Sequence, residues 1–507
     1  MNARLGHRLR DGGFPPPSAI IKTRVAIVGG GVSGLSAGWK LAKAGMRDFL
    51  VFELENEIGG NSRAGHSGTL AYPWGAHYLP LPPPEAKAVR ELLAETGVLQ
   101  GDPTALRPRY DERYLCATPQ ERVFHRGLWE EGLLPHLGLG PGEHEQQARF
   151  QAQMEVFKHA RGRDGRRAFA LPMALSSRDP QWLALDRVDF RQWLLAEGFD
   201  APSLHWLANY ACRDDYGTSH AETSAWAGLH YFACRAGEAQ DALDDTVLTT
   251  PDGNAWLVRA LAARCGDSLR TGVVVWQVRE HAGGVDADLW LESEQRSITV
   301  RAEALIWAAP LFVLPRVWPA MPAPLAAAAQ GGDYAPWLVA NLHLSDFPEE
   351  RHGAAPAWDN VLYEGRGLGY VVATHQLLRR HLGGTVFTYY RALSDLTPAS
   401  ARRQLLETPR EVWAEQILQE LSLPHPNIRR LTTRLDVFRF GHAMRRPVPG
   451  SIWGGGREKL AAHQGRVLLA HADLSGFSIF EEAQYRGVLA AERLLRRWAM
   501  PFASSLV

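Results

Sequence analysis

Residues 24–28 (Arg-Val-Ala-Ile-Val) form a short β-branched run, and Gly29-Gly-Gly-Val-Ser-Gly34 follows at once. A helical stretch then runs from about Val32 to Ala44, with Val32, Leu35, Trp39 and Ala42 at helical spacing and Gly45 as its stop. Residues 49–53 (Phe-Leu-Val-Phe-Glu) read as a second strand that ends in an acid. This strand–turn–helix–strand unit is the feature that most limits what the chain can become. Gly29 permits the tight turn, Gly31 lets the backbone approach a pyrophosphate, and Gly34 lets helix and sheet pack closely. Val32 and Ser33 open the helix, whose free N–H groups and positive dipole end suit phosphates. Glu53 stands twenty-four residues after Gly29, where a carboxylate accepts hydrogen bonds from ribose hydroxyls. The competing reading is a glycine-rich turn of an α/β fold that binds nothing.

The 507 residues are enough for two to four domain-sized units. Lys+Arg and Asp+Glu are both 55, which argues against an extended nucleic-acid footprint. The four cysteines, at 116, 212, 234 and 265, have no CxxC spacing, so neither a zinc knuckle nor a dithiol motif is expected. They read as buried thiols of a reducing compartment. No run of 18 apolar residues exists, so no transmembrane segment is expected. Residues 1–21 are basic and Gly/Pro-rich without an apolar core, and read as a flexible leader. The expected location is cytoplasmic, or periplasmic if an export signal lies upstream.

Further along, residues 85–99 read as a helix and 111–245 mostly as helices and loops. Residues 271–317 turn strand-like, as do 337–344 and 385–391, and 401–421 read as one helix. Residues 466–473 form a strand ending in Asp473, and a helix follows from about Glu481 to Arg497. Strand-like regions near both ends, with unlike material between, suggest an α/β domain assembled from separated segments.

Beyond Glu53 and Leu54 the chain reads Glu57-Ile-Gly-Gly-Asn-Ser-Arg63, then Trp74-Gly-Ala-His-Tyr78. With the glycine-rich turn, these stretches resemble the flavin-containing amine oxidase superfamily, which shares its FAD segments with phytoene desaturases and protoporphyrinogen oxidases. The resemblance implies FAD. Gly59, Gly60, Asn61, Ser62 and Arg63 would lie along its pyrophosphate, although Asn61 and Ser62 interrupt the usual Gly-Gly-Arg. Trp74, Gly75, Ala76 and His77 would pass near the isoalloxazine. The resemblance continues at Pro251 to Leu257, at Val273 to Val278, where Val275 offers backbone atoms to adenine, and at Ala304 to Leu314, which contains Ala308. It closes on Leu468 to Asp473, then Ser475-Gly-Phe477, and a helix opened by Phe480 and Glu481. In the family the acid at the position of Asp473 bonds the ribityl chain, and the helix start faces the flavin pyrimidine. Together these segments cover about half the chain.

The implied fold is α/β: a Rossmann-like FAD-binding domain of 22–110, 246–320 and 440–507, plus an α+β substrate domain of 111–245 and 321–439. The implied activity is hydride removal from an amine, with polyamines first among the substrates. An aromatic cage suits it, because desolvation disfavours the ammonium form. Phe477, Phe480, Trp453, Trp74, His77 and Tyr78 are the candidate cage residues, Phe477 first among them, each with a plain core role as its alternative. Asp214, Asp215, Glu481 and Glu482 are candidate partners for distal ammonium groups, or else helix caps and dipole-compensating acids. Many relatives carry a Lys that holds a water at flavin N5. The corresponding strand here, 337–344, has none, and Asn341 or His343 takes that region. That suggests a dehydrogenase rather than a fast oxidase, with oxygen, a quinone or a carrier protein as electron acceptor. Two other readings remain: a C–C desaturase or protoporphyrinogen oxidase-like enzyme, and a flavin-binding protein without catalysis.

Overall fold

The computed structural model describes residues 2–243, 245–377 and 383–506. Two seven-stranded sheets organise them. In the first, strand Ile20–Val28 lies between Phe49–Phe52 and Arg296–Trp307, parallel to both. The apolar, continuously buried run Val25–Val28 suits this buried central position. Strand Arg296–Trp307 then splits its edge. Its first half pairs antiparallel with Gly284–Leu291, and its last three residues pair parallel with Val467–Leu469. Segments near 20, 50, 270–307 and 467 therefore share one sheet, which is what a discontinuous Rossmann-like domain requires.

The second sheet runs Thr432–Arg445, Tyr334–Leu344, Thr385–Ala392, Gly369–Val372, Asp359–Leu362, Glu121–His125, Leu128–Glu131. Strand Tyr334–Leu344 is buried along its whole length. Leu338, Ala340, Leu342 and Leu344 face the helices that carry Leu405, Trp413 and Ile417. Ala335, Trp337 and Val339 face an aromatic cluster with Trp358, Tyr390 and Phe440.

Three expectations need correction. Residues 1–21 are not a flexible leader throughout: Ala3–Asp11 is a helix capped by the Asn2 side chain. Leu5 packs into a cluster with Val274 and Trp290, and Phe14 stacks on Trp276 at 5.5 Å. Apolar residues scattered through a basic segment hid this docking. Residues 401–421 are two helices, Pro398–Glu407 and Arg410–Leu421, because Pro409 cannot continue the first. Residues 121–131 are strands of the second sheet rather than helix or loop.

Helix Val32–Lys43 is held by the closing helix Phe480–Arg497. Lys40 and Glu492 form an ion pair at 3.2 Å with both side chains sealed from solvent. Lys40 also donates to the Ala503 carbonyl and the Ser505 hydroxyl, and Glu492 accepts from the Ser504 hydroxyl and the Ser505 N–H. Glu492 keeps a second, half-exposed partner in Arg496 at 2.8 Å, but without Lys40 it loses the one cation sealed in beside it. Lys40→Met should therefore lower unfolding free energy by about 3–5 kcal/mol in denaturant titration. Lys40→Met with Glu492→Leu should recover most of that loss.

Candidate cofactor and substrate site

The glycine-rich turn has the geometry its sequence implies. Gly29 takes φ +108°, and a Cβ there would meet the Ala308 carbonyl oxygen at 2.8 Å. A Cβ on Gly34 would overlap the Gly29 carbonyl, so only glycine lets the helix sit this close. Gly31 is different: its nearest neighbour is the Gly60 Cα at 3.8 Å, so it borders open space. No side chain caps the helix that begins at Val32. The Ser33 hydroxyl does not face that space, because it donates to the Ala470 carbonyl and ties the helix to the last strand of the sheet. Glu53 accepts from the Gly30 N–H at 2.7 Å and the Glu55 N–H at 2.9 Å. Burial pushes its carboxyl up, and those two N–H groups oppose the shift.

Gly59 and Gly60 both have positive φ, and Gly59 donates its N–H to the Gly30 carbonyl, so the second motif lies against the first turn. Ser62 is buried, Asn61 donates to the Ala443 carbonyl, and Arg63 donates to the Gly60 carbonyl. Arg63 also lies 3.6 Å from Glu55. Leu54 packs beside Val274 in the cluster that holds the N-terminal helix. Val275 is a buried core residue at a bulge: pairing with Gly284–Leu291 skips Trp276. Asp473 is fully buried. One of its oxygens accepts from the Leu311 N–H at 2.9 Å and the Tyr334 hydroxyl at 2.5 Å. Burial pushes this carboxyl up, but His471, Arg445 and the Leu311 N–H hold it down to about 2.

The Trp74–Tyr78 stretch leads from this turn into a cluster of packed aromatic rings, termed the chamber for its position between the two sheets. The Gly75 carbonyl accepts from the Tyr390 hydroxyl at 2.9 Å, and His77 stacks on Tyr390 at 4.5 Å. Trp358 lies 5.5 Å from His77 and 6.1 Å from Tyr78. Burial lowers His77 to about 4, so it is neutral at physiological pH. Trp74 packs against Phe438 at 5.0 Å.

Beside these rings lies a group of carboxylates. Tyr78 donates to Asp214 at 3.2 Å, and Arg235 bridges Asp215 at 2.9 Å and the Tyr78 hydroxyl at 3.0 Å. Glu121 and Asp359 are directly opposite each other on paired parallel strands. Tyr210 donates to Asp359 at 3.5 Å. Burial and then Asp215 push Asp214 up to about 7. Burial and then Asp245 push Glu121 to about 7. Asp359 is raised further by burial, Asp214 and Glu121. Asp214, Asp215 and Glu121 thus share one guanidinium, Arg235, and Asp359 adds a fourth carboxylate that Arg235 does not offset. Like charges in this setting cost stability unless protonated or met by a cation.

Several expected site residues lie elsewhere. Phe477 is not a cage wall: it is completely buried against His230, Tyr216 and Trp226. Trp453 packs edge-on against Trp226 beneath Arg178. Asn341 is not free to hold a reactive water, because it donates to the Pro73 carbonyl and accepts from Thr388. His343 is paired with Asp436 at 3.2 Å. Glu482 is used structurally, accepting from the Met173 N–H and the Ser475 hydroxyl. Glu481 is the exception: buried in the first turn of the closing helix, it lies near enough to Arg235 and Asp215 to interact with both, and burial raises it to about 7. Phe480 opens that helix and is buried in the core of the first sheet. Sequence reasoning missed Glu121, Asp359, Trp358, Tyr390 and Arg235. They come from distant segments, and no local spacing announces them.

Residues 27–96 match the NAD(P)-binding Rossmann-like domain family. A tryptophan 2-monooxygenase from Pantoea agglomerans pv. gypsophilae is 34% identical over 89 residues, which is 18% of this chain and 13% of that protein. The likeness therefore spans only a small part of that relative's length. A double mutant of putrescine oxidase superposes with a TM-score of 0.70 at 16% identity, covering 94% of this chain and all of that one. Cyclohexylamine oxidase from Brevibacterium oxydans gives 0.65 at 16% identity, covering 93% of this chain and 99% of its own.

Two outcomes follow. Gly31→Ala should leave thermal stability unchanged and weaken dinucleotide binding at least about tenfold, whereas Gly34→Ala should cost about 3 kcal/mol or more of stability. In the chamber, folded-state carboxyls raised to about 7 bind more protons than the unfolded chain between pH ~4 and ~7. Stability without a bound cation should therefore fall as pH rises through that window, and Asp214→Asn should flatten the fall in thermal scans.

Proposed function

We propose that this chain, which has the fold of the flavin-containing amine oxidases, is an FAD-dependent oxidoreductase acting on an amine that carries a second cationic group. The single observation that carries this reading is the chamber, where four carboxylates with raised proton affinity stand beside the His77–Tyr390–Trp358 aromatic wall. Such a wall disfavours an ammonium at the reacting nitrogen, while the carboxylates favour one at the far end.

The cofactor cradle fits FAD. Gly31 borders open space next to an uncapped helix start, and one oxygen of the buried Asp473 lacks a hydrogen-bond donor. Gly29, Gly31, Val32 and Gly34 would hold the diphosphate together with Gly59, Gly60 and Arg63. Glu53 would take the ribose, Leu54 and the Val275 backbone the adenine, and Asp473 the ribityl chain. Bound FAD supplies the two-electron acceptor. Trp74, Gly75, Ala76 and His77 set the wall along which substrate lies. Tyr78 and Arg235 orient Asp214 and Asp215 toward the distal ammonium.

The residues of strand Tyr334–Leu344 on the face away from the helices are Ala335, Trp337, Val339, Asn341 and His343, with no Lys or Arg among them and His343 paired with Asp436. That supports a dehydrogenase that hands electrons to a quinone or carrier protein and reacts slowly with oxygen. Anaerobic spectra of the purified protein test the reading. Diamines and polyamines should bleach the flavin bands, monoamines of equal length should not, and air should recolour the flavin slowly. A flavin that no amine bleaches would remove the amine reading. Ionising the chamber acids strengthens cation binding, so diamine affinity should rise as pH increases through about 7. Asp214→Asn should weaken that affinity about tenfold, in line with a charge-assisted hydrogen bond.

A further inference from the structure

Arg445 ends strand Thr432–Arg445 and pairs across the sheet with Tyr334. Its residue surface is 5% exposed, and its Nε and Nη1 have no hydrogen-bond partner. The next residue, Arg446, makes a telling contrast. It is saturated by Asp333 at 2.7 Å, the Thr218 hydroxyl at 2.9 Å and Glu222 at 2.9 Å. Among the described residues no carboxylate lies within 4.0 Å of the Arg445 guanidinium. An unpaired buried charge costs several kcal/mol, so a chain that keeps one there has a use for it.

Its surroundings indicate the use. Asp473 lies close enough that Arg445 helps hold its carboxyl down, yet the two do not pair. The same Asp473 has one oxygen without a hydrogen-bond donor. His471 Nδ1 lies 3.1 Å from that oxygen, but this nitrogen accepts the Asp473 N–H. The Arg445 backbone N–H donates to Ser478, two residues before the uncapped start of the closing helix. Arg445 does reach the Tyr334 hydroxyl, but a guanidinium with two unpartnered nitrogens and no carboxylate partner, a half-used carboxylate and an uncapped helix N-terminus meet in one place. An occupant must accept hydrogen bonds from Arg445 and the helix, and donate one to Asp473. The diphosphate of a dinucleotide accepts but does not donate at neutral pH, and Asp473 would repel any phosphate anion. The flavin end of FAD does both, through pyrimidine acceptors and ribityl hydroxyls.

We infer that Arg445 is a cofactor-binding residue that holds the flavin end of FAD, its charge adding to the helix dipole to favour the anionic reduced ring. This rests on the FAD reading above. The same charge favours the sulfite adduct at flavin N5, which also leaves negative charge on the pyrimidine side. The test compares wild type, Arg445→Lys and Arg445→Gln as purified holoproteins, by fluorescence titration of FAD release and by sulfite titration of the flavin spectrum. Arg445→Gln should weaken both FAD and sulfite binding by about tenfold or more, with Arg445→Lys between it and wild type. Thermal unfolding of the FAD-free forms should show Arg445→Gln at least as stable as wild type, because it removes an unpaired buried charge. Lower FAD-free stability with unchanged sulfite affinity would make Arg445 a structural residue and overturn the inference. Weaker FAD binding with unchanged sulfite affinity would also overturn it, placing the grip away from the ring. A wild type that takes up no FAD at all would overturn the FAD reading itself, whatever the variants do.

Discussion

The close approach of helix Val32–Lys43 to its neighbours is the constraint on which the rest of the structure depends. A Cβ on Gly34 would overlap the Gly29 carbonyl, and one on Gly487 would overlap the Ser33 carbonyl. Two bare backbones, one from each end of the chain, thus clamp the same helix start. The Ser33 bond to the Ala470 carbonyl and the sealed Lys40–Glu492 pair complete the clamp. The clamp aims the helix N-terminus, and Glu53 and the Gly59–Gly60 turn take their places around that point. Burying a lysine and a glutamate brings little net stability of its own. Its effect is specificity: the last helix can dock in only one register over the dinucleotide turn.

The chamber shows the opposite economy. Asp359 and Glu121 face each other across paired strands, with Asp214 near both. A protein selected for stability alone would place apolar or oppositely charged residues there. Arg235 is already committed to Asp215 and Tyr78. The imbalance is a local destabilisation that a cationic ligand would relieve, and functional sites commonly carry this kind of strain. The aromatic rings next to it have their polar tips engaged, as in the Tyr390–Gly75 and Tyr210–Asp359 hydrogen bonds.

What the sequence made legible follows from range. The turn, its helix and Glu53 lie within some thirty residues, so spacing alone carries their geometry. The closing helix and Asp473 were legible for the same reason. The chamber was legible only in part: Tyr78, Asp214 and Asp215 stood out locally, but Glu121, Asp359, Trp358 and Tyr390 reach them through the pairing of distant strands. Phe477 misled because a Ser-Gly-aromatic step says nothing about which way its ring turns, and here it turns into the helical core. The N-terminal helix was missed because its one buried anchor, Leu5, sits among basic residues whose periodicity is too short to read.

The two sheets answer to different demands, and one contact joins them at the chemistry. Dinucleotide-turn residues belong to the first sheet. The chamber acids Glu121 and Asp359 and the aromatics Trp358 and Tyr390 belong to the second or its borders. Substrate preference can therefore drift without disturbing the cradle, which is how one fold comes to host many activities. Free drift stops at Tyr334. It begins the second strand of the second sheet, yet its hydroxyl bonds Asp473, just past the last strand of the first, at 2.5 Å, with Arg445 paired beside it. Moving the substrate sheet by one residue would reverse the facing of Tyr334 and Arg445. It would also break the Tyr334–Asp473 bond and carry Tyr390 and His77 off their stack. The register of the substrate-side sheet is thus set by a bond to the cofactor-side carboxylate, so the aromatic wall and the cofactor cradle are aligned by the same interaction.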